Sequence, residues 1–278
     1  MMKTVKFPNG SLVPALGQGT WGMGEGIAPV EAEADSLRAG LDLGLKLIDT
    51  AEMYGNGGSE RVVGEALVGR RDDAFVVSKV LPSHASRKGT IAACERSLKN
   101  LKIEKIDLYL LHWQSSIPLS ETVEAFEQLV EQGKIDSWGV SNFDTALMQK
   151  LEAVSLKGHI ATDQILYNLS RRGPEFDLIP WCEKRDIPVM AYAPIEQGRI
   201  MKNRDLIALA AELDIAPSVL ALAWVIRNPL MIAIPKTSSI KHLRENVKAL
   251  DLALDRNVLE RLDKIFLPPL QKHPLEVI

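Results

Sequence analysis

Eight apolar strand-like runs that alternate with helical segments predict an α/β fold, a (β/α)8 TIM barrel with an N-terminal β-hairpin closing its base. Three observations carry this reading. The runs are apolar almost without interruption, as expected of strands covered on both faces. Strand–helix alternation implies parallel strands joined by right-handed crossovers. Eight such units in a chain of 278 residues match a closed barrel, typically about 250 residues. An open doubly wound sheet is the alternative. No linker, composition shift or low-complexity tract divides residues 1–278, which read as one domain.

The elements follow in order. TVKF, the turn PNGS and LVPA form the hairpin, with Asn9-Gly10 as the turn signal because both tolerate positive φ. Strand-like runs are GQGT (17–20), LKLIDT (45–50), AFVVSK (74–79), KIDLYLLH (105–112), IDSWGVS (135–141), TDQILYN (162–168), IPVMAYAP (187–194) and LMIAIP (230–235). Helical periodicity covers 30–45, with Ala34, Leu37, Leu41 and Leu45 on one face, and then 59–68, 86–101, 119–133, 144–154 and 176–185. It returns at 205–213, 217–228 and 240–250 and again after Asp255. Ser120, with Glu121 to Glu124, reads as the start of one helix and Gly133 as its end. Pro217 sits in the first turn of another, where a missing N–H matters little.

Composition narrows the function. The chain is 46% hydrophobic and 25% charged with a formal net charge of −3, which suggests neither a nucleic-acid nor a membrane partner. Cys94 and Cys182 lie in separate helices with no CxxC and no ligand cluster, so they read as free thiols in a reducing cytosol, with no metal site. The opening MMKTVKFPNGS lacks the apolar core of a signal peptide, and no apolar run reaches membrane-spanning length. A cytoplasmic monomer is the expectation.

Gly17-Gln18-Gly19-Thr20-Trp21-Gly22 matches G-x-G-x-x-G. A dinucleotide fingerprint requires this motif to open a helix. GMGEGIAP follows instead, so the motif reads as a glycine-rich loop at a barrel mouth, with Thr20 and Trp21 facing the pocket.

The chemistry lies at strand ends. Asp49, Lys79 and His112 close or follow apolar runs, and Tyr54 lies five residues past Asp49. In parallel α/β proteins the carboxyl ends of the strands carry the site. Each residue alone has a structural reading: a strand-end cap for Asp49, a packing aromatic for Tyr54. Together they make a proton-donating device. A free phenol has a pKa of about 10, and an ammonium roughly 4 Å away stabilises its phenolate by about 4 kcal/mol at an effective dielectric near 20. That corresponds to a downward shift of about three pKa units before desolvation. Asp49 would hold Lys79 charged, Tyr54 would act as general acid and His112 would orient a carbonyl oxygen.

The words LGQGTW, LIDTAEMYGN, VVSKV, DLYLLHW, GKIDSWGVSNF, DQILYN, MAYAP and AIPKTSS resemble, in order and over nearly the whole chain, the aldo-keto reductases, and within them the bacterial methylglyoxal and small-aldehyde reductases. The resemblance implies a barrel binding NADPH across its mouth and a catalytic tetrad of Asp49, Tyr54, Lys79 and His112. It implies that Ser141, Asn142 and Gln164 hold the nicotinamide carboxamide, that Tyr192 stacks on the ring, and that Gly19, Thr20, Trp21 and Asp49 line the coenzyme side. Ala193, Pro194, Ile195, Gly198 and Ile234 follow the coenzyme by position. Lys236, Thr237 and Ser238 match the 2′-phosphate site, and Glu245 and Asn246 the adenine contacts. Trp21, Met53, Tyr54, His112 and Trp113 would form the wall for small or aromatic aldehydes.

Two positions depart from the family. His242 stands where NADPH-preferring members carry arginine, which predicts weaker discrimination against NADH. Ala193 replaces a serine, and Glu196 beside a pyrophosphate path is unfavourable unless it points away. Two other functions compete with the reductase reading: Lys79 as a Schiff-base nucleophile, and a non-catalytic coenzyme-sensing subunit. The tail 266–278 either covers the pocket or packs on the barrel.

Overall fold

A computed structural model describes residues 2–155 and 160–278. Strands β1 (Thr4–Lys6) and β2 (Leu12–Pro14) pair antiparallel, and Gly10 takes the positive φ of the turn. The hairpin lies at the amino ends of the barrel strands, where Phe7 stacks on Phe75 with ring centroids 5.2 Å apart.

The barrel strands are β3 (Gln18–Gly19), β4 (Leu47–Asp49), β5 (Phe75–Val80), β6 (Ile106–Leu111), β7 (Ile135–Ser141), β8 (Ile160–Leu166), β9 (Val189–Tyr192) and β10 (Met231–Ala233). They run parallel in sequence order from β3 to β10. Parallel bridges Leu16↔Ala233 and Gly19↔Lys236 join the first strand to the last, so the sheet closes. The glycines of the G-x-G-x-x-G run serve this closure. A Cβ on Gly19 would stand 2.8 Å from the Ile234 carbonyl oxygen, and one on Gly17 would stand 2.7 Å from Leu47. No helix follows them: Gly22, Gly24 and Gly26 all have positive φ, and the next helix starts only at Val30. The dinucleotide-fingerprint reading is excluded on that ground.

The helices are α1 (Val30–Asp42), α2 (Gly58–Ala66), α3 (Arg87–Leu101), α4 (Leu119–Glu131), α5 (Thr145–Val154), α6 (Leu178–Glu183), α7 (Arg204–Glu212), α8 (Pro217–Val225), α9 (Ile240–Val247) and α10 (Arg256–Ile265). Ala34, Leu37 and Leu41 of α1 are buried as the periodicity predicts, and Leu45 is buried just beyond the helix. Side chains of Ser86, Asp144, Asn203, Ser239 and Asp255 cap their helices. Ser120 does not cap α4. Pro118 occupies that position with extended backbone, and α4 has no side-chain cap. Gly133, with φ +67°, ends the turn after α4. Val219 to Val225 of α8 are all buried. Among the described residues no single helix is long and apolar enough to cross a membrane, and the α7–α8 pair that meets the composition test is bent by 93°.

Candidate active site

The carboxyl ends of β4, β5 and β6 bring the four predicted residues together. Asp49 ends β4 and Lys79 lies near the end of β5, where its ammonium is fully buried. Lys79 Nζ donates to Asp49 Oδ2 (2.8 Å), to the Thr50 carbonyl (2.9 Å) and to the Tyr54 hydroxyl oxygen (3.3 Å). An ammonium has three donors, and all three are used. Because Lys79 donates to the Tyr54 oxygen, the phenolic proton cannot point back at Lys79. It must be donated elsewhere, and the open side of Tyr54 is the cavity.

Tyr54 is carried on a tight turn. Gly55, Asn56 and Gly57 all have positive φ, and α2 starts directly after them. The turn packs on the loop after β3, where a Cβ on Gly58 would stand 2.3 Å from the Gly24 carbonyl oxygen. Glu52, in the same loop, accepts from the Leu81 N–H (2.7 Å), and its carboxylate meets His84 Nδ1 (2.9 Å) and Arg96 (3.0 Å). This clamp fixes the Tyr54 loop to the segment that follows Lys79. The sequence gives no sign of it, since Glu52 looks like any polar loop residue.

The electrostatics differ from the sequence expectation in one respect. Burial raises the Tyr54 phenol, and that outweighs the lowering by the Lys79 ammonium, so its net pKa lies above the ordinary value. A spacing argument supplies the ammonium but not the depth of burial. Burial works to lower the Lys79 ammonium, yet Asp49 and then Tyr54 hold it above its usual range. Burial and then the Lys79 charge push His112 down to about 3. His112 is therefore a neutral ring, edge-on to Tyr54 at 5.7 Å. Its buried Nδ1 has no hydrogen-bond partner among the described residues. A neutral imidazole still offers one N–H donor.

A second network adjoins the first. Gln164 Nε2 donates to Asp49 Oδ1 (2.7 Å), and the Ser141 hydroxyl donates to the Gln164 carbonyl (2.8 Å). Asn142, with φ +61° at the end of β7, donates to the His112 carbonyl (3.1 Å) and accepts from the Tyr192 hydroxyl (2.8 Å). Asparagine tolerates this left-handed conformation better than most residues.

These groups line a cavity of about 1270 Å³. That exceeds the 300–1,000 Å³ typical of a drug-sized ligand pocket and leaves room for a larger molecule beside a small one. Trp21, Met53, Tyr54, His112 and Trp113 line one end, where Trp21, Met53 and Trp113 expose apolar surface, and Gly19, paired with both Asp49 and Lys236, lies between the ends. Ala193, Pro194, Ile195, Gly198 and Ile234 continue the wall. Lys236, Thr237, His242, Glu245 and Asn246 line the far end. Three predicted residues sit differently. Lys79 is wholly buried behind Tyr54. Thr20 borders the cavity, but its hydroxyl donates to the Asp49 carbonyl (2.9 Å) and accepts from the Ser59 hydroxyl (2.7 Å), so it does not face the pocket. Ser238 is exposed and does not line the cavity, because α9 is capped by the next residue, Ser239.

Glu196 points away from the cavity. It is buried, accepts from Asn168 (2.7 Å), and pairs with Arg171 and Arg199 (3.0 Å each). These bonds outweigh burial and hold the carboxyl below its usual range. The sequence reading missed several lining residues: Gln114, Leu147 and Met201, the segment Ala216 to Ser218 at the start of α8, and Val277 and Ile278 of the tail. The tail thus resolves one open question: its last residues enter the cavity wall.

The fit of a coenzyme can be judged on these residues. Ser141, Asn142 and Gln164, expected to meet a carboxamide, stand beside Asp49, Tyr54 and His112, an apolar wall follows, and an exposed lysine with a threonine and a helix N-terminus closes the far end. Such an end suits a phosphate.

The family model described as "Aldo/keto reductase family" matches residues 15–266. The methylglyoxal reductase YeaE of Escherichia coli K12 is 46% identical over 281 residues, covering 99% of both chains. An aldo/keto reductase from Klebsiella pneumoniae, crystallised with NADP and acetate, superposes with a TM-score of 0.96 at 48% identity over the full length of both chains. A second Klebsiella pneumoniae structure, in complex with NADPH, gives 0.97 at 49% identity over the same full coverage.

Proposed function

The chain belongs to the aldo/keto reductase family, and from that premise we propose that it is an NADPH-dependent reductase of aldehydes and ketones, methylglyoxal and aromatic aldehydes among them. When bound, the coenzyme supplies a hydride to the carbonyl carbon. The rest is the work of this chain. The neutral His112 donates a hydrogen bond that orients the carbonyl oxygen. Tyr54 delivers its phenolic proton to that oxygen as charge develops there. Lys79 stabilises the phenolate left behind, and Asp49 holds Lys79 charged. Ser141, Asn142 and Gln164 hold the carboxamide of the nicotinamide, and Tyr192 packs on the ring. Lys236 and Thr237 take the 2′-phosphate, with His242 beside them.

One observation carries the reading. All three donors of Lys79 are satisfied, one of them by the Tyr54 oxygen, and this leaves the phenolic proton for the cavity. The same observation argues against the Schiff-base alternative, since a buried, fully bonded ammonium is not a nucleophile. The proposal extends to a single-domain cytoplasmic monomer acting on a small molecule, without a nucleic-acid or membrane partner. Its net negative charge and two buried free cysteines support that extension.

The test is coenzyme oxidation, followed by absorbance, with methylglyoxal and a set of aromatic aldehydes. Wild type is expected to turn over, and Tyr54→Phe to lose about 10³-fold in kcat with little change in coenzyme binding. Tight NADPH binding without turnover on any carbonyl would instead establish a coenzyme-sensing protein.

A further inference from the structure

Glu196 stands in a stretch of unusual backbone. Ala193, Glu196, Gln197 and Gly198 all have positive φ, three of them without being glycine. Such conformations persist only where surrounding bonds over-determine them. The bonds here belong to Glu196 and its neighbours. Asn168 donates to both the Ala193 carbonyl (3.0 Å) and Glu196 (2.7 Å), while Arg171 and Arg199 pair with the Glu196 carboxylate. This stretch is also the cavity wall on the coenzyme side.

Arg171 has a second partner. Its Nη1 donates to Glu276 of the tail, 105 residues away in sequence. Glu276 directly precedes Val277 and Ile278, which line the cavity. The tail is moored along its length. Arg172 donates to the Phe266 carbonyl (2.5 Å), and Lys272 pairs with Asp177 (2.8 Å). Tyr192 lines the same cavity as Val277 and Ile278, and its hydroxyl donates to Asn142 (2.8 Å). The tail is therefore tied through Glu276 and Arg171 to the loop that carries Glu196, and its next two residues line the cavity.

We propose that Arg171 is a positioning residue for substrate specificity: by gripping Glu196 and Glu276 together, it ties the tail wall of the carbonyl pocket to the coenzyme-side loop. The inference rests on the reductase reading above. Two consequences follow. Substrates long enough to touch Val277 and Ile278, such as aromatic aldehydes, depend on this grip. A three-carbon dicarbonyl, held by Tyr54 and His112, does not. Ordering of the 193–198 stretch by the coenzyme also orders the tail, since both ends of the bridge share one guanidinium. A fork-shaped guanidinium can serve two carboxylates at once, which a lysine ammonium does with poorer geometry.

The experiment has two readouts on wild type, Arg171→Ala, Arg171→Lys, Glu276→Ala and the double alanine variant. The first is steady-state kinetics with benzaldehyde and methylglyoxal. The single alanine variants are expected to raise the benzaldehyde KM about tenfold, the size of one lost apolar wall contact, with kcat and the methylglyoxal KM nearly unchanged. The double variant is expected to be no worse than the single ones, because both remove one bridge. Arg171→Lys should recover part of the loss. The second is amide hydrogen exchange of residues 274–278 with and without NADP+, which needs no turnover. NADP+ is expected to slow exchange in wild type and not in Arg171→Ala. An unchanged ratio of the two KM values, or equal protection by NADP+ in wild type and Arg171→Ala, overturns the proposal. Absence of turnover in wild type would instead count against the reductase reading. Glu276 is half exposed, so its variant tests the bridge without disturbing the fold.

Discussion

The two ends of the cavity are built on different principles. At the tetrad end, functional groups hang from β4, β5 and β6, and they are buried and bonded in fixed pairs: Lys79 to Asp49, Asp49 to Gln164, Asn142 to the His112 carbonyl. At the far end, Lys236 ahead of α9 and His242 in its first turn are exposed, and the stretch from Ala193 to Gly198 bends through left-handed backbone. The difference follows from the tasks. Proton transfer needs groups held to within a fraction of an ångström in a water-poor setting. Gripping a phosphate needs charge and reach, and tolerates solvent. Damage to the first end should therefore remove turnover and stability together, whereas changes at the second should retune affinity alone.

Lys79→Met gives the largest expected effect. It removes the group that stabilises the Tyr54 phenolate, and kcat should fall about 10³-fold. It also strands Asp49, which is 2% exposed. Breaking a buried pair in this way costs about 3–5 kcal/mol, and denaturant unfolding would show it. A Lys79→Met protein with wild-type stability would contradict the claim that this end of the cavity is held by paired buried charges.

His242→Arg probes the other end. An arginine there would add a permanent fork-shaped donor to the exposed end proposed to take the 2′-phosphate. The ratio of NADH to NADPH dissociation constants should rise about tenfold, roughly the worth of one charge-assisted hydrogen bond, with no change in unfolding midpoint. Comparable wild-type dissociation constants for the two coenzymes would fit the present histidine. A strong NADPH preference that survives in His242→Ala would show that Lys236 and Thr237 suffice.

The same division explains what could be read from the sequence. The strand ends were legible because a parallel barrel strand is an apolar run, and an ionisable residue at its close stands out. Asp49, Lys79 and His112 were found that way, and the register Gly19↔Asp49 brings the first glycine loop beside them. Direction within a loop was not legible. Thr20 was placed at the mouth, yet its hydroxyl turns to the Asp49 carbonyl because Ser59, from α2, arrives behind it. Depth was not legible either: burial, which spacing does not report, holds the phenol of Tyr54 above rather than below its ordinary range. Arg171 and Glu276 are ordinary surface charges in sequence, and only the return of the tail across the barrel makes them a pair. Local pattern reports faces and ends, while long-range side-chain pairing comes from tertiary packing.

A third effect separates the two ends by pH. In the unfolded chain His112 titrates at about 6.5, whereas in the fold burial and the Lys79 charge push it down to about 3. Between those values the unfolded chain binds a proton that the folded chain refuses. Stability is therefore fully present above about pH 6.5 and declines as pH falls, by up to about 1.4 kcal/mol per pH unit well below that value. Glu196 behaves otherwise. Its folded pKa is depressed, so its contribution is present above the unfolded carboxylate value of about 4.3 and is lost only as pH falls further. Buried Asp163, raised well above the usual carboxylate range, also titrates with the fold, so it is the difference between wild type and a His112 variant from pH 6.5 to 5 that reports on the tetrad end. Urea unfolding of wild type and His112→Gln across that interval is the measurement. The glutamine keeps an N–H donor without the titration, and its stability should fall less steeply with acid than that of wild type. Parallel curves would mean that His112 accepts a proton in the fold near neutrality. It would then act as an acid rather than as the neutral donor proposed here.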